Sequence, residues 1–406
     1  MHQLTRILST AALCLTSFLT IAQAADKETV LYRFDHASGG SGPANGLYMD
    51  QSGNLFGLGL SGVFFELSPN GSGGWNYSEL LASDCSYPTG PLVRDSAGNF
   101  YAANFFGTVY QFSPSASGGW NESLVYDINS GLSGAGPSNL LVDAAGNVYG
   151  INGANGANGL GYVFQLSPNS SGGWSLTDLH DFNGTDGDAS PSGMTASGIL
   201  GGLTMDASGN LYGVTYAGGS NSTCGSKCGV VFRLTNKSGI WTETVLHTFN
   251  GTDGSGPDAA MLLDAAGNLF GTTTGGGASG FGVVFEISLV SGKPLTHVIH
   301  SFTNANGDGA YPQAALIMDA SGNLYGSTTS GGESFNCSVE QDNGCGTVFK
   351  LSPVGQQWKE SLLHAFKGNG DGGFPSGVVL GTNGNLYGDG FTGGIFSQGV
   401  VFEIKP

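Results

Sequence analysis

Seven times along the 406-residue chain a Gly-Asn pair opens a short run containing an aromatic residue. The copies begin at Gly53, Gly98, Gly146, Gly209, Gly267, Gly322 and Gly384, at spacings of 45, 48, 63, 58, 55 and 62 residues. A period of that size is one supersecondary unit, which cannot bury its apolar surface alone and must stack on its neighbours. Asp stands three residues ahead of the Gly at Asp50, Asp95, Asp143, Asp206, Asp264 and Asp319, and the seventh unit breaks this pattern, which we read at Thr382.

Each unit resolves into four short strands, a to d. Strand a ends at the Asp, as in Met261-Leu262-Leu263-Asp264, and a tight turn follows because Gly and Asn tolerate the positive φ of a hairpin reversal. Strand b is the Asn-Leu-Tyr-Gly run, and strand c is an apolar run such as Val230-Val231-Phe232-Arg233-Leu234. Strand d often opens with Trp and closes on Leu-His-x-Phe, as from Trp241 to Phe249, although it is weak around Leu80-Leu81-Ala82. No segment has a helical period of useful length. Four antiparallel strands repeated seven times predict an all-β, seven-bladed β-propeller.

The ends of the chain sharpen this expectation. The last unit supplies strands a, b and c, stopping at Val400–Ile404, while an orphan strand d, Glu28–Phe34, precedes the first strand a. Pairing of these two runs would complete the seventh blade and leave strand c without an exposed edge.

Composition narrows the partners. The chain carries 72 Gly, 12 basic and 30 acidic residues, for a formal charge of −18. So few cations cannot grip a phosphate backbone or an anionic membrane, so no nucleic-acid partner is expected. Residues 1–24 have the layout of a secretory signal peptide: Arg6, an apolar stretch from Ile7 to Ile21, then Ala22-Gln23-Ala24. That stretch is too short to span a bilayer. Cleavage near Ala24 would release a soluble, secreted, monomeric domain of residues 25–406, extracellular or periplasmic, with no membrane insertion.

The Asp-x-x-Gly-Asn-Leu-Tyr-Gly units, the Gly-Val-Val-Phe-x-Leu strand and the Leu-His-x-Phe strand resemble the GloVer-type tandem repeat of secreted bacterial proteins. They are similar, more loosely, to NHL and related propeller repeats. The resemblance covers essentially the whole mature chain and implies a propeller, but no particular reaction. Some members carry a C-terminal anchor, which is not expected here.

Recurrent residues are framework by expectation. His180, His247, His300 and His364 share one strand d position on four different blades, so they cannot meet at a single zinc ion. Trp75, Trp120, Trp174, Trp241 and Trp358, one per unit, are expected to pack between blades rather than form a sugar platform. The turn Asp residues should accept hydrogen bonds within their own hairpins.

Candidate ligand contacts lie in the d-to-a loops: Asp186, Asp188, Asp253, Asp308, Tyr311 and Asp371. Four of these loops share an Asp-Gly pattern followed by Pro191, Pro257, Pro312 or Pro375, and they should emerge on the same face as the b-to-c loops. Asp-Gly is an ordinary turn signal; calcium is the cofactor such oxygen-rich loops would take, though none is required. Cys224 with Cys228 and Cys337 with Cys345 are expected to form two local disulfides in corresponding b-to-c loops, leaving Cys85 a thiol that Asp84 would make less acidic.

No Gly-x-Ser-x-Gly elbow, phosphate-cradling loop or His-Glu-x-x-His is present. Two functions follow as expectations. The first is a non-catalytic propeller that binds an extracellular polysaccharide or protein through its loop face. The alternative is a secreted polysaccharide lyase, hydrolase or lactonase with an acidic, calcium-dependent mouth; its catalytic candidates are His36 and Asp253, with Asp186, Asp308 or Asp371 as further carboxylates.

Overall fold

The structure, a computed structural model, describes residues 28–35, 42–129, 136–190, 201–221, 228–289, 293–332, 337, 344–394 and 398–406. The expected signal peptide, His36 and Cys224 lie outside the described residues. Strands form seven four-stranded antiparallel sheets, each in the order a-b-c-d, plus one two-stranded ribbon. Blade 1 runs from Tyr48 to Ala82, blade 2 from Val93 to Asp127, blade 3 from Ser138 to Asp181 and blade 4 from Leu203 to Thr248. Blade 5 runs from Leu262 to Ser301 and blade 6 from Ile317 to Ala365.

Blade 7 is assembled from both ends of the chain. Gly373–Leu380, Leu386–Thr392 and Val400–Ile404 are its strands a to c, and Glu28–Arg33 is strand d. Glu28 lies opposite Ile404 and Arg33 opposite Val400, with a bulge between Val30 and Tyr32. Phe34 then inserts beside Phe65 of blade 1, ring centroids 5.2 Å apart, in a core that also holds Val401 and Tyr387. The ring is closed, as the strand inventory predicted.

The repeat motif has a packing reason at each position. Gly213 of Asn-Leu-Tyr-Gly faces Phe232 on strand c, and a Cβ there would sit 2.4 Å from the ring. Turn Asp residues hold their hairpins: Asp143 accepts the Ala145 and Asn147 amides at 2.9 and 2.8 Å and the Tyr149 hydroxyl at 3.0 Å. Burial pushes the Asp143 carboxyl up, but hydrogen bonds from the Asn147 side chain and amide lead a set that outweighs it and holds it below its usual range. In the seventh unit the residue at the Asp position is Gly381, not Thr382, since its amide and carbonyl take the Asp's backbone bonds to Asn385 and Gly384. Asn383 supplies the missing acceptor, 3.0 Å from the Asn385 amide.

Each Trp bridges to the preceding blade. Trp75 meets Tyr387, Trp174 meets Tyr101 and Trp358 meets Phe270, at 5.6, 6.0 and 6.1 Å between centroids. This is the inter-blade packing that one Trp per unit implied. Strand d of blade 1 departs from expectation: the weak Leu80–Ala82 run belongs to a full eight-residue strand, Trp75–Ala82. Its pairing with Val63–Pro69 supplies the order that its side chains do not advertise.

Candidate functional site

Loops d-to-a and b-to-c share one face because they pair with each other. Bridges join Pro88 to Asn104, Asp188 to Ala217 and Ser255 to Gly275, and the small ribbon pairs Gly309–Ala310 with Ser330–Gly331. The residues of interest therefore all rise toward one mouth.

The loop Asp residues do not converge there. Asp253 accepts the Asn250 amide and side chain at 2.9 Å each and pairs with His247 Nε2 at 3.1 Å. Asp186 accepts the Asn183 amide at 2.8 Å and lies 3.3 Å from His180. Asp308 is 2.7 Å from both the amide and the hydroxyl of Thr303, and Asp371 takes the Lys367 amide at 2.9 Å. Asp188 holds Ser190 in the same way. Each carboxylate staples its own loop and meets its own strand d histidine, apart from Asp188. The recurrence of the histidines is thus explained by a loop contact repeated on four blades.

Two of these pairs have a third member that the sequence reading missed. Glu243, on strand d of blade 4, joins His180 and Asp186 of blade 3; Glu360, on strand d of blade 6, joins His300 and Asp308 of blade 5. In each trio one donor atom per residue lies within 4.8 Å of the others. Burial, with Asp186 adding its charge, pushes Glu243 up to about 7. The only sequence signal was a Glu two residues after Trp241 and Trp358.

Cavities separate more clearly. Two clefts of about 380 and 350 Å³ lie over the hairpin turns between blades, one at Trp75 and Tyr387, the other at Trp174 and Tyr101. They are copies of the framework. The third, about 490 Å³, sits on the loop face and breaks the repeat. Its aromatic wall is Tyr311, Phe374 and Phe391, and Asn45, Gln313 and Ser376 are among its polar lining groups. Among the described residues, no charged side chain lines it.

The backbone beneath two of those rings is unusual. Tyr311 and Phe374 have φ of 57° and 53°, each immediately before a proline. Their amides donate to Phe281 and Cys345 carbonyls at 3.0 and 2.8 Å, the same link that Gly256 makes to Cys228 in the loop entering blade 5. Gly256, at φ 65°, adopts this conformation without strain, whereas an aromatic residue there costs about 1–3 kcal/mol. Tyr87 repeats the feature at φ 54° and contacts Phe106, ring centroids 6.2 Å apart, forming a second, more exposed aromatic patch. Of the predicted contacts, Tyr311 alone lines the pocket; Phe374 and Phe391 were missed. An aromatic residue before Pro where a sister unit has Gly would have disclosed the first.

Under the pocket lies a buried acid. Asp389 on strand b of blade 7 is fully buried, and its carboxylate faces Ser376 and the Gly46 amide without reaching hydrogen-bond geometry with either. Burial pushes it up to about 6. Cys85 is buried too, and burial followed by the Glu122 charge, rather than Asp84, pushes its thiol up, so it is no nucleophile. Cys337 and Cys345 are disulfide-bonded, with Cα atoms 5.1 Å apart, and Cys228 is also in a disulfide.

The Gloeobacter/Verrucomicrobia repeat family matches residues 103–339 and 199–406. No curated protein matches the chain. Solved structures similar to it include XC5397 of Xanthomonas campestris, described as a gluconolactonase, at 15% identity, with 75% of this chain and 86% of that one covered and a TM-score of 0.44. A luciferin-regenerating enzyme aligns at 10% identity over 79% and 95%, TM-score 0.46. A triple mutant of AofleA from Arthrobotrys oligospora aligns at 11% over 84% and 90%, TM-score 0.43. Likeness at this level carries no inference about function.

Proposed function

We propose that this chain, which belongs to the Gloeobacter/Verrucomicrobia repeat family, is a secreted, non-catalytic propeller that binds a neutral extracellular glycan in its loop-face pocket. One observation carries the reading: Tyr311 and Phe374 hold large rings in a backbone conformation that a sister loop fills with Gly256. Strained backbone clusters at functional sites, and here it sets both rings in the wall of one pocket, with Tyr311 also packing edge-on against Phe281. Flat rings cover the C–H faces of a sugar, while Asn45 and Gln313 offer donors and acceptors for its hydroxyls. The described lining is uncharged, which suits a neutral ligand, and the volume falls within the range of small-ligand sites. The Tyr87–Phe106 patch extends the apolar surface for a longer chain.

The enzymatic alternative rests on acids in the mouth, and Asp186, Asp253, Asp308 and Asp371 are each engaged by their own loops. The test is a glycan array probed with the exported protein, followed by product analysis on every glycan that binds. Retention of a neutral oligosaccharide without release of products supports the proposal. Turnover, or no binding to any glycan, contradicts it.

A further inference from the structure

We propose that the two His–Asp–Glu trios are zinc sites that tie neighbouring blades together at the rim, one between blades 3 and 4 and one between blades 5 and 6. Each joins a strand d histidine, the Asp of the loop that follows it, and a Glu from strand d of the next blade.

The spacing of the donors is the first argument. His180 Nε2 is 3.3 Å from Asp186, and His300 Nε2 is 3.5 Å from Asp308 and 3.6 Å from Glu360. Zinc holds N and O ligands at about 2.0–2.2 Å, which makes the edge of its tetrahedron about 3.3–3.6 Å. These three separations match that edge, and the remaining donor pairs of each trio lie within 4.8 Å.

The second argument is what the histidines do without one. The Nε2 atoms of His180 and His300 are sealed from solvent and form no well-aligned hydrogen bond, and Glu243 Oε1 is in the same condition. Between the two trios, at blades 4 and 5, Thr296 takes the place of the Glu in the strand register, opposite Ile287 as Glu243 is opposite Leu234. There His247 makes a true hydrogen bond to Asp253 at 3.1 Å. Of the two histidine interfaces without a trio, the one between blades 4 and 5 satisfies its histidine in this way, and at the one between blades 6 and 7 His364 Nε2 lies 3.4 Å from Asp371.

The donor set selects the ion. One imidazole and two carboxylates suit zinc and its borderline neighbours, whereas calcium takes six to eight oxygens, which neither trio offers. Glu360 keeps 25% of its side-chain surface, so water can reach the fourth position. Two copies of one chemistry, two blades apart, make a structural cross-link rather than a catalytic centre.

The test uses the whole chain freed of metal and then titrated with Zn²⁺ alone. Wild-type protein should bind zinc and melt several degrees higher with it. Glu243→Gln and Glu360→Gln should each remove one bound ion and the double variant two, while His247→Gln removes none. Equal zinc content in wild type and double variant overturns the proposal. A readout on the wild type guards against misfolded variants: zinc should shift the imidazole NMR signals of His180 and His300 but not those of His247. Unchanged signals from all three with and without zinc overturn it as well.

Discussion

Replacing Asp389 by Asn should stabilise the protein, and only at neutral and alkaline pH. The carboxyl is pushed from an ordinary 3.8 to about 6 by burial, with Ser376 and the Gly46 amide too poorly placed to compensate. Because the folded state holds this proton more tightly than the unfolded chain, the penalty is absent below pH 4. It grows between about pH 4 and 6 and is complete above that. A rise of this size corresponds to about 3 kcal/mol. Asn keeps the volume and abolishes the charge. Six sister positions carry Leu58, Ala103, Ile151, Val214, Thr272 and Ser327, so the fold does not need an acid there. Urea unfolding at pH 7.5 should show the variant more stable by up to about 3 kcal/mol, and at pH 4 the two proteins should match. A variant no more stable at pH 7.5, or a gain that is the same at both pH values, refutes the reasoning.

Three further outcomes are expected. Phe34→Ala should cost about 3–5 kcal/mol by emptying the joint between blades 7 and 1, and deletion of Glu28–Phe34 should give aggregation through the bared edge of Val400–Ile404; an unchanged melting curve for the deletion would sink the closed ring. Cys85 should resist a thiol reagent in the native protein and react on unfolding, as followed by mass spectrometry, since it is fully buried. Reducing the Cys337–Cys345 bridge, which closes a short loop, should lower stability by about 2–3 kcal/mol, read as a shift in the denaturant midpoint.

The ring was legible because its cause is periodic. A turn needing Gly and Asn, a Gly that lets Phe232 approach, and a Trp between blades must recur wherever a blade recurs, so Gly209-Asn210, Gly213 and Trp174 announced themselves by repetition. The missing strand was legible for the same reason, as a gap in the count at one end and a surplus at the other. The loop-face pocket breaks the repeat, and single departures are hard to weigh without the fold. Phe374 stands in a loop where a sister loop has Gly256, and Phe391 lies in a strand b that runs longer than its sisters. Glu243 and Glu360 were hidden differently: each completes a group whose other members lie on the preceding blade, 52 to 63 residues away, and only stacking brings them together. The loop Asp residues stood out in the sequence because they are repeated, and repetition here marks scaffold.

The proposed glycan pocket can be tested at one exposed ring. Phe391 lines it and keeps 43% of its surface, so its removal should not disturb the core. Calorimetric titration of the best array ligand should show Phe391→Ala binding about ten-fold more weakly, the loss of roughly 1.4 kcal/mol expected for one stacked ring, with an unchanged melting temperature. Equal affinity in wild type and variant would place the ligand elsewhere and contradict the account.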